Sequence, residues 1–244
     1  MAYDYIGIVN DINRRLNKVE LVGGTGTNAN FLTAKGEYSM IKDAVNSSIR
    51  YINQHEYEWP FNHVTADETM TAGVVRYAFP TDAKTIDFDS FRIKRNDTLG
   101  NDTRRIKVMS YEEYLDKHVD IEYNTSNNRS MPDFVFRAPN QEFGFVKNPD
   151  KAYEYVYEYY RLPVDLLNTT DVPTVPEQFR YIIVNGAMHF AYMFRGETQE
   201  AQVVQARFME EIKSMRSLYV NRYDYVRSTA ITQSNTSVSS FRVF

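Results

Sequence analysis

The 244-residue chain contains no cysteine. That excludes disulfide staples, thiol nucleophiles and every zinc site built on thiolates. It agrees with assembly in a reducing cytosol. No apolar run approaches the roughly 20 residues needed to cross a bilayer. The opening stretch, MAYDYIGIVNDINRR, has neither a basic n-region nor an apolar h-region, so no secretory signal is expected. An excess of one charge sign is also missing. Lys and Arg number 28 and Asp and Glu 32, for a net charge of −4. This is too mild for a polybasic nucleic-acid coat or for an acidic tail acting by bulk charge.

Catalytic signatures are equally scarce. The histidines are His55, His63, His118 and His189, and no two stand four apart on one helix. HExxH is absent, because His55-Glu56 runs into Tyr57, Glu58 and Trp59. No GxSxG nucleophile elbow occurs. The glycine-rich stretch Gly23-Gly24-Thr25-Gly26-Thr27 is followed by Asn28-Ala29, not by the Lys-Ser/Thr of a phosphate loop, and a helical pattern precedes it. It reads as a loop between helices. Asp87 with Asp89, and Glu112 with Glu113 and Asp116, are carboxylate groups on amphipathic elements, and nothing else converges on them. No metal, cofactor or catalytic residue is assigned.

Aromatic residues are plentiful. The 19 Tyr and 15 Phe beside a single Trp make 14% of the chain, a composition suited to interfaces or to a β-rich core. Helical spacing predicts a first helix over about 3–16, with Asp4 near its cap, and a second over about 37–54. Strand patterns follow at 73–79, 85–94, 133–137, 142–146 and 153–161, the last a Tyr/Glu/Val mix read as half-exposed. A short helix is expected at 111–118 behind Ser110. Beyond the link DVPTVP, Pro176 opens a helix with apolar positions Phe179, Ile182, Ile183, Gly186, Ala187, Phe190 and Phe194. Thr198 precedes another, with Ala201, Val204, Phe208, Ile212, Met215 and Tyr219.

The order predicts an α+β fold: a four-helix-type bundle from 1–63 and 168–220, an inserted β-domain at 64–167, and an extended C-terminal arm at 221–244. The arm sets Tyr223, Tyr225, Ile231, Phe241, Val243 and Phe244 among polar residues, with Arg222, Arg227 and Arg242. Aromatic and Arg anchors of this kind suit a segment that orders on a partner.

Several segments together resemble one family. The helix at Met40 to Gln54 runs into Trp59-Pro60-Phe61. Gly73-x-x-x-Tyr77-x-x-Pro80-x-Asp82 follows, then Tyr159-Tyr160-Arg161-Leu162-Pro163 with Asp165-Leu166-Leu167. Pro173 and Val175-Pro176 lead to Phe179, Ile182-Ile183 and Gly186-Ala187. In order and spacing, over about 37–220, these resemble the head-to-tail adaptors of short-tailed phages, the tail tubular protein A or gatekeeper type. Ser130-Met131-Pro132 stands where that family has a Gly-x-Pro step. The resemblance implies a virion structural protein, not an enzyme. It implies a ring, usually dodecameric, between the portal and the tail nozzle, with DNA passing through the lumen without sequence-specific binding. It also implies portal docking by the arm, where Tyr223, Tyr225, Arg227, Phe241, Arg242, Val243 and Phe244 are the expected contacts. Assembly would take place in the host cytoplasm. Two other readings of the residues are a β-module that binds a receptor or glycan, and a peptidoglycan hydrolase using Glu112 or Asp116.

Overall fold

The structure, a computed structural model, describes residues 3–24, 29–56, 58–97, 100–123 and 129–219. They divide into two compact units. One comprises Met1–Phe61 and Pro163–Phe244, and the other is Asn62–Leu162.

The first unit is helical. Asp4 caps α1 (Tyr5–Arg15) by accepting from the Gly7 N–H at 2.9 Å. Gly36, at a φ of +63°, turns the chain into α2 (Glu37–His55). A 3-10 turn at Glu177–Phe179 leads into α5 (Arg180–Arg195). That helix stops at the left-handed Gly196, whose N–H bonds back to the Met193 carbonyl at 3.1 Å. α6 (Thr198–Tyr219) follows at once.

α5 is the central helix. Ile182 through Ala187 are buried without a break, so no face of that stretch turns to solvent. This is how a helix surrounded by others reads. α1 and α2 pack on it from one direction, with Ile8, Val9, Ile12, Ile41, Val45, Ile49 and Ile52 fully or almost fully buried. α6 packs on it with Phe208, Ile212 and Met215. The closest approach is at Gly186. A Cβ there would lie 2.2 Å from the Ser48 hydroxyl and 2.6 Å from the Phe208 ring. The Ser48 hydroxyl itself donates to the Ile183 carbonyl at 3.1 Å.

One polar line borders this apolar interior, with Asn185 buried and Arg15 and Arg207 exposed at its ends. Arg15 of α1 donates to the Asn185 amide oxygen at 2.8 Å, and the Asn185 amide nitrogen donates to both Glu211 oxygens at 2.8 Å. Arg207 closes the line on Glu211 at 3.0 Å. Its geometry exists at one axial register of α1, α5 and α6, so it selects that register from the many an apolar seam would tolerate.

The second unit is built of strands. β1 (His63–Thr69), β2 (Arg76–Ala78), β3 (Ala83–Asp97), β4 (Gly100–Arg105) and β5 (Lys107–Met109) come first. The helices α3 (Tyr111–Lys117) and α4 (Val119–Tyr123) follow, then β6 (Phe134–Ala138), β7 (Glu142–Val146) and β8 (Glu154–Arg161). They form two four-stranded sheets, in the orders β1-β8-β3-β4 and β2-β7-β6-β5. All pairings are antiparallel except β5 with β6. An aromatic cluster of both sheets fills the interior. Phe91 stacks on Tyr157 at 4.8 Å and Phe143 sits edge-on to Phe145 at 5.7 Å.

β8 alternates buried and partly exposed residues, as its half-exposed composition predicts. Tyr155 and Tyr157 are fully buried and Tyr159 almost so. Their hydroxyls explain how. Tyr155 and Tyr157 donate to Glu68 at 2.6 and 3.0 Å, and Tyr159 donates to Asp82 at 3.2 Å. Each ring is buried while its polar end keeps a partner. The 73–79 strand shrinks to Arg76–Ala78, because Gly73 takes a φ of +80° and Val74 bonds back to Thr71 in a turn. β1, β4 and β5 carry too little alternation to be read from sequence, and β3 extends well beyond the pattern at 85–94.

Gly186→Ala is expected to cost about 2 kcal/mol or more, the range of overpacking in a core that cannot relax. Chemical denaturation of the full chain should show a lower midpoint. An unchanged midpoint would mean that Ser48 and Phe208 yield freely.

Candidate interface surfaces

The return segment between β8 and the 3-10 turn has no regular structure and is nonetheless pinned. The Asn46 amide donates to the Leu166 carbonyl at 3.1 Å and its oxygen accepts the Leu166 N–H at 3.0 Å. Arg50 grips Asp165 with both ends of its fork, one bond being 2.9 Å. One Asp171 oxygen accepts from the N–H groups of Leu167 and Asn168 at 2.8 and 2.7 Å, which holds its carboxyl below the usual carboxylate range. The Tyr5 N–H reaches the Asp171 carbonyl at 2.8 Å. Leu166 points inward, while Val164, Leu167 and Val172 are 68%, 69% and 60% exposed. Exposed apolar side chains on a backbone anchored in this way form a candidate contact surface, because less backbone ordering entropy is lost on binding. Other exposed apolar residues of the helical unit include Met193 and Phe194 at the end of α5, and Val203 and Leu218 on α6.

The carboxylates singled out from sequence find ordinary partners. Asp87 accepts from the Asp89 N–H at 2.9 Å, and Asp89 pairs with Arg105 at 2.7 Å. Both line a cleft of about 360 Å³ with Ser90, Arg92, Arg105, Val156 and Glu158, where the register of β3 against β8 shifts between Asp87 and Arg92. Glu113 pairs with Lys117 at 2.7 Å, which lowers its pKa, while Glu112 and Asp116 are exposed on the same helix. The histidines remain apart. His63 meets Glu158 at 3.1 Å, His189 meets the Ala201 carbonyl at 2.9 Å, His55 sits edge-on to Tyr51, and His118 ends α3. Among the described residues no group of His, Asp and Glu is placed to hold a metal. Gly23 lies against Ile6 and Thr169, and residues 25–28 of its loop lie outside the described residues. The anchors expected in the arm, Tyr223, Tyr225, Arg227, Phe241, Arg242, Val243 and Phe244, also lie outside them.

Two ionic clusters reinforce the second unit. Asp133, just before β6, receives Arg104 of β4 at 2.6 Å and also Lys147. Lys147 chiefly, then Arg104, holds the Asp133 carboxyl below the usual carboxylate range. Arg76 of β2 donates to Glu122 of α4 at 3.0 Å, and the buried Tyr114 hydroxyl donates to the same carboxylate. Burial, then Glu122, pushes the Tyr114 phenol far above its ordinary value. Neither cluster was legible in advance, since their partners are distant in sequence.

The family model described as SU10 adaptor protein matches residues 3–233. The match spans nearly the whole chain, and the chain belongs to that family. No curated protein matches it.

Asp133 gives a pH signature. Its folded pKa lies below the unfolded value of about 3.9, so its stabilisation is complete above that value and is lost as pH falls through the folded one. Asp133→Asn should lower the unfolding midpoint at neutral pH and flatten its decline below about pH 4. Parallel acid profiles of the two proteins would show that the cluster contributes nothing.

Proposed function

We propose that this member of the SU10 adaptor protein family is a structural virion protein of a phage, connecting the portal to the tail nozzle as a closed ring around the path of the DNA. The observation that carries the reading is the extent of the family match, 3–233, which takes in both units. The pinned apolar segment at 163–172 supports it, because a structural connector acts through fixed contact surfaces and needs no reactive group. The net charge of −4 suits a conduit through which DNA moves without being held, since phosphate grip needs clustered Lys and Arg.

In this reading the helices α1, α2, α5 and α6 are a four-helix-type bundle and the β-unit is an insertion in it. Copies close a ring by one repeated heterologous contact, twelve being the expected number. The arm from about 221 docks on the portal through Tyr223, Tyr225, Arg227, Phe241, Arg242, Val243 and Phe244. Ordering of the arm on a completed portal would make docking wait for that portal. The protein is a building block, with no reaction to catalyse, and it joins particles assembled in the host cytoplasm.

Mass photometry of the purified chain, alone and mixed with its portal, tests this directly. A ring of chains on the portal is expected, and removal of 222–244 should abolish it. A chain that ignores the portal, or an arm deletion that docks as well as the intact chain, would contradict the reading.

A further inference from the structure

The sheet ordered β1-β8-β3-β4 ends in two open edges. The Met70 N–H donates to the Tyr153 carbonyl at 2.8 Å, continuing a register in which Glu68 faces Tyr155. In an antiparallel ladder the bonded residues alternate. Val64, Ala66 and Glu68 therefore bond β8, while His63, Thr65, Asp67 and Thr69 turn their N–H and C=O groups outward. The far edge follows the same logic. Ile106 donates to the Phe91 carbonyl at 2.9 Å and Arg92 faces Arg105, so Asn101, Thr103 and Arg105 turn outward on β4. Among the described residues no other backbone group meets either row.

Neither edge is blocked by proline or by a bulge, though each carries an inward-pointing charge, Glu68 on β1 and Arg104 on β4. β1 runs seven residues in unbroken register and contains no proline or bulge, and β4 runs six. Their charges are opposite in sense. β1 carries Asp67 and Glu68, and β4 carries Asp102 but ends in Arg104 and Arg105. The alternation of directions also fits. β1 and β3 run one way and β8 and β4 the other, so β4 of one copy meets β1 of the next antiparallel. One register overlaps the two strands at three positions, setting Asp67 against Arg105 and Thr69 against Thr103, with Glu68 opposite Arg104 between them.

We propose that β1 of one copy pairs with β4 of the next, so that the β-units of the ring share one continuous sheet. This deepens the ring reading and rests on it. The two edges are different surfaces, which is what a head-to-tail contact that closes a ring requires. Four strands at about 4.8 Å each give about 19 Å per copy, so twelve copies close at a diameter of about 73 Å. The Asp89–Arg105 pair and the Asp67 carboxylate are largely exposed and open to exchange at little cost, while Arg104 and Glu68 keep Asp133, Tyr155 and Tyr157 as partners within the unit.

The absence of native cysteine makes the test clean. Thr69→Cys and Thr103→Cys, combined in the full chain, should give a disulfide-linked ladder on oxidation in the presence of portal. Its highest rung should equal the ring number. Each single variant should remain unlinked. Asp67→Arg should move assembly to about tenfold higher concentration, and adding Arg105→Asp should restore it, because like charges opposed at an interface are costly. A ring that gives no ladder overturns the edge pairing and leaves the ring intact. Linkage in a single variant, or to another tail protein, also overturns it. A chain that forms no ring with or without portal overturns both readings.

Discussion

The helical unit depends on how near three helices come at Gly186. Ser48 of α2 and Phe208 of α6 both occupy the space that any larger residue on α5 would need. With that space closed, α5 is surrounded, and its run of Ile182, Ile183, Val184 and Ala187 has nowhere to go but the core. Asn185 sits beside it in sequence and converts close packing into a fixed register through Arg15 and Glu211. Removing Arg15 would leave a buried amide oxygen without its donor, a larger penalty than the bond itself is worth. Apolar fit and polar specificity thus act on adjacent residues of one helix.

The β-unit solves a related problem with tyrosine. Its two sheets need bulky inward residues, and Tyr155, Tyr157 and Tyr159 supply them from every second position of β8. Phenylalanine would pack as well, but Glu68 and Asp82 would then lose their hydroxyl donors. The strand therefore reads as polar in composition while it lies at the centre of its sheet. Its neighbour β1 provides Glu68 and is the edge that the next copy is proposed to use, so core and rim are linked through a single carboxylate.

Much of this was legible in sequence where the signal was local. The stripe Ile41, Val45, Ile49 and Ile52 placed α2, and Ser110 placed α3, where its hydroxyl accepts the Glu113 N–H at 3.2 Å. The signal failed where partners are remote. Nothing near Val164, Leu167 or Val172 shows that Asn46, Arg50 and Asp171 hold that segment rigid with its apolar side chains outward. β1 was missed because HVTADET carries only two inward apolar residues, and its stabilisation comes from β8, about ninety positions away. The arm at 221–244 is the converse case. Its composition led to the expectation of a partner, and residues 221–244 lie outside the described residues.

The central claim is that the chain is a fixed part of the particle. Quantitative mass spectrometry of purified, filled virions measures this most directly, with the portal as internal standard. The account predicts the chain in intact particles at a constant stoichiometry equal to that of the portal. Its absence from purified virions, or an amount that falls with each washing step, would contradict it.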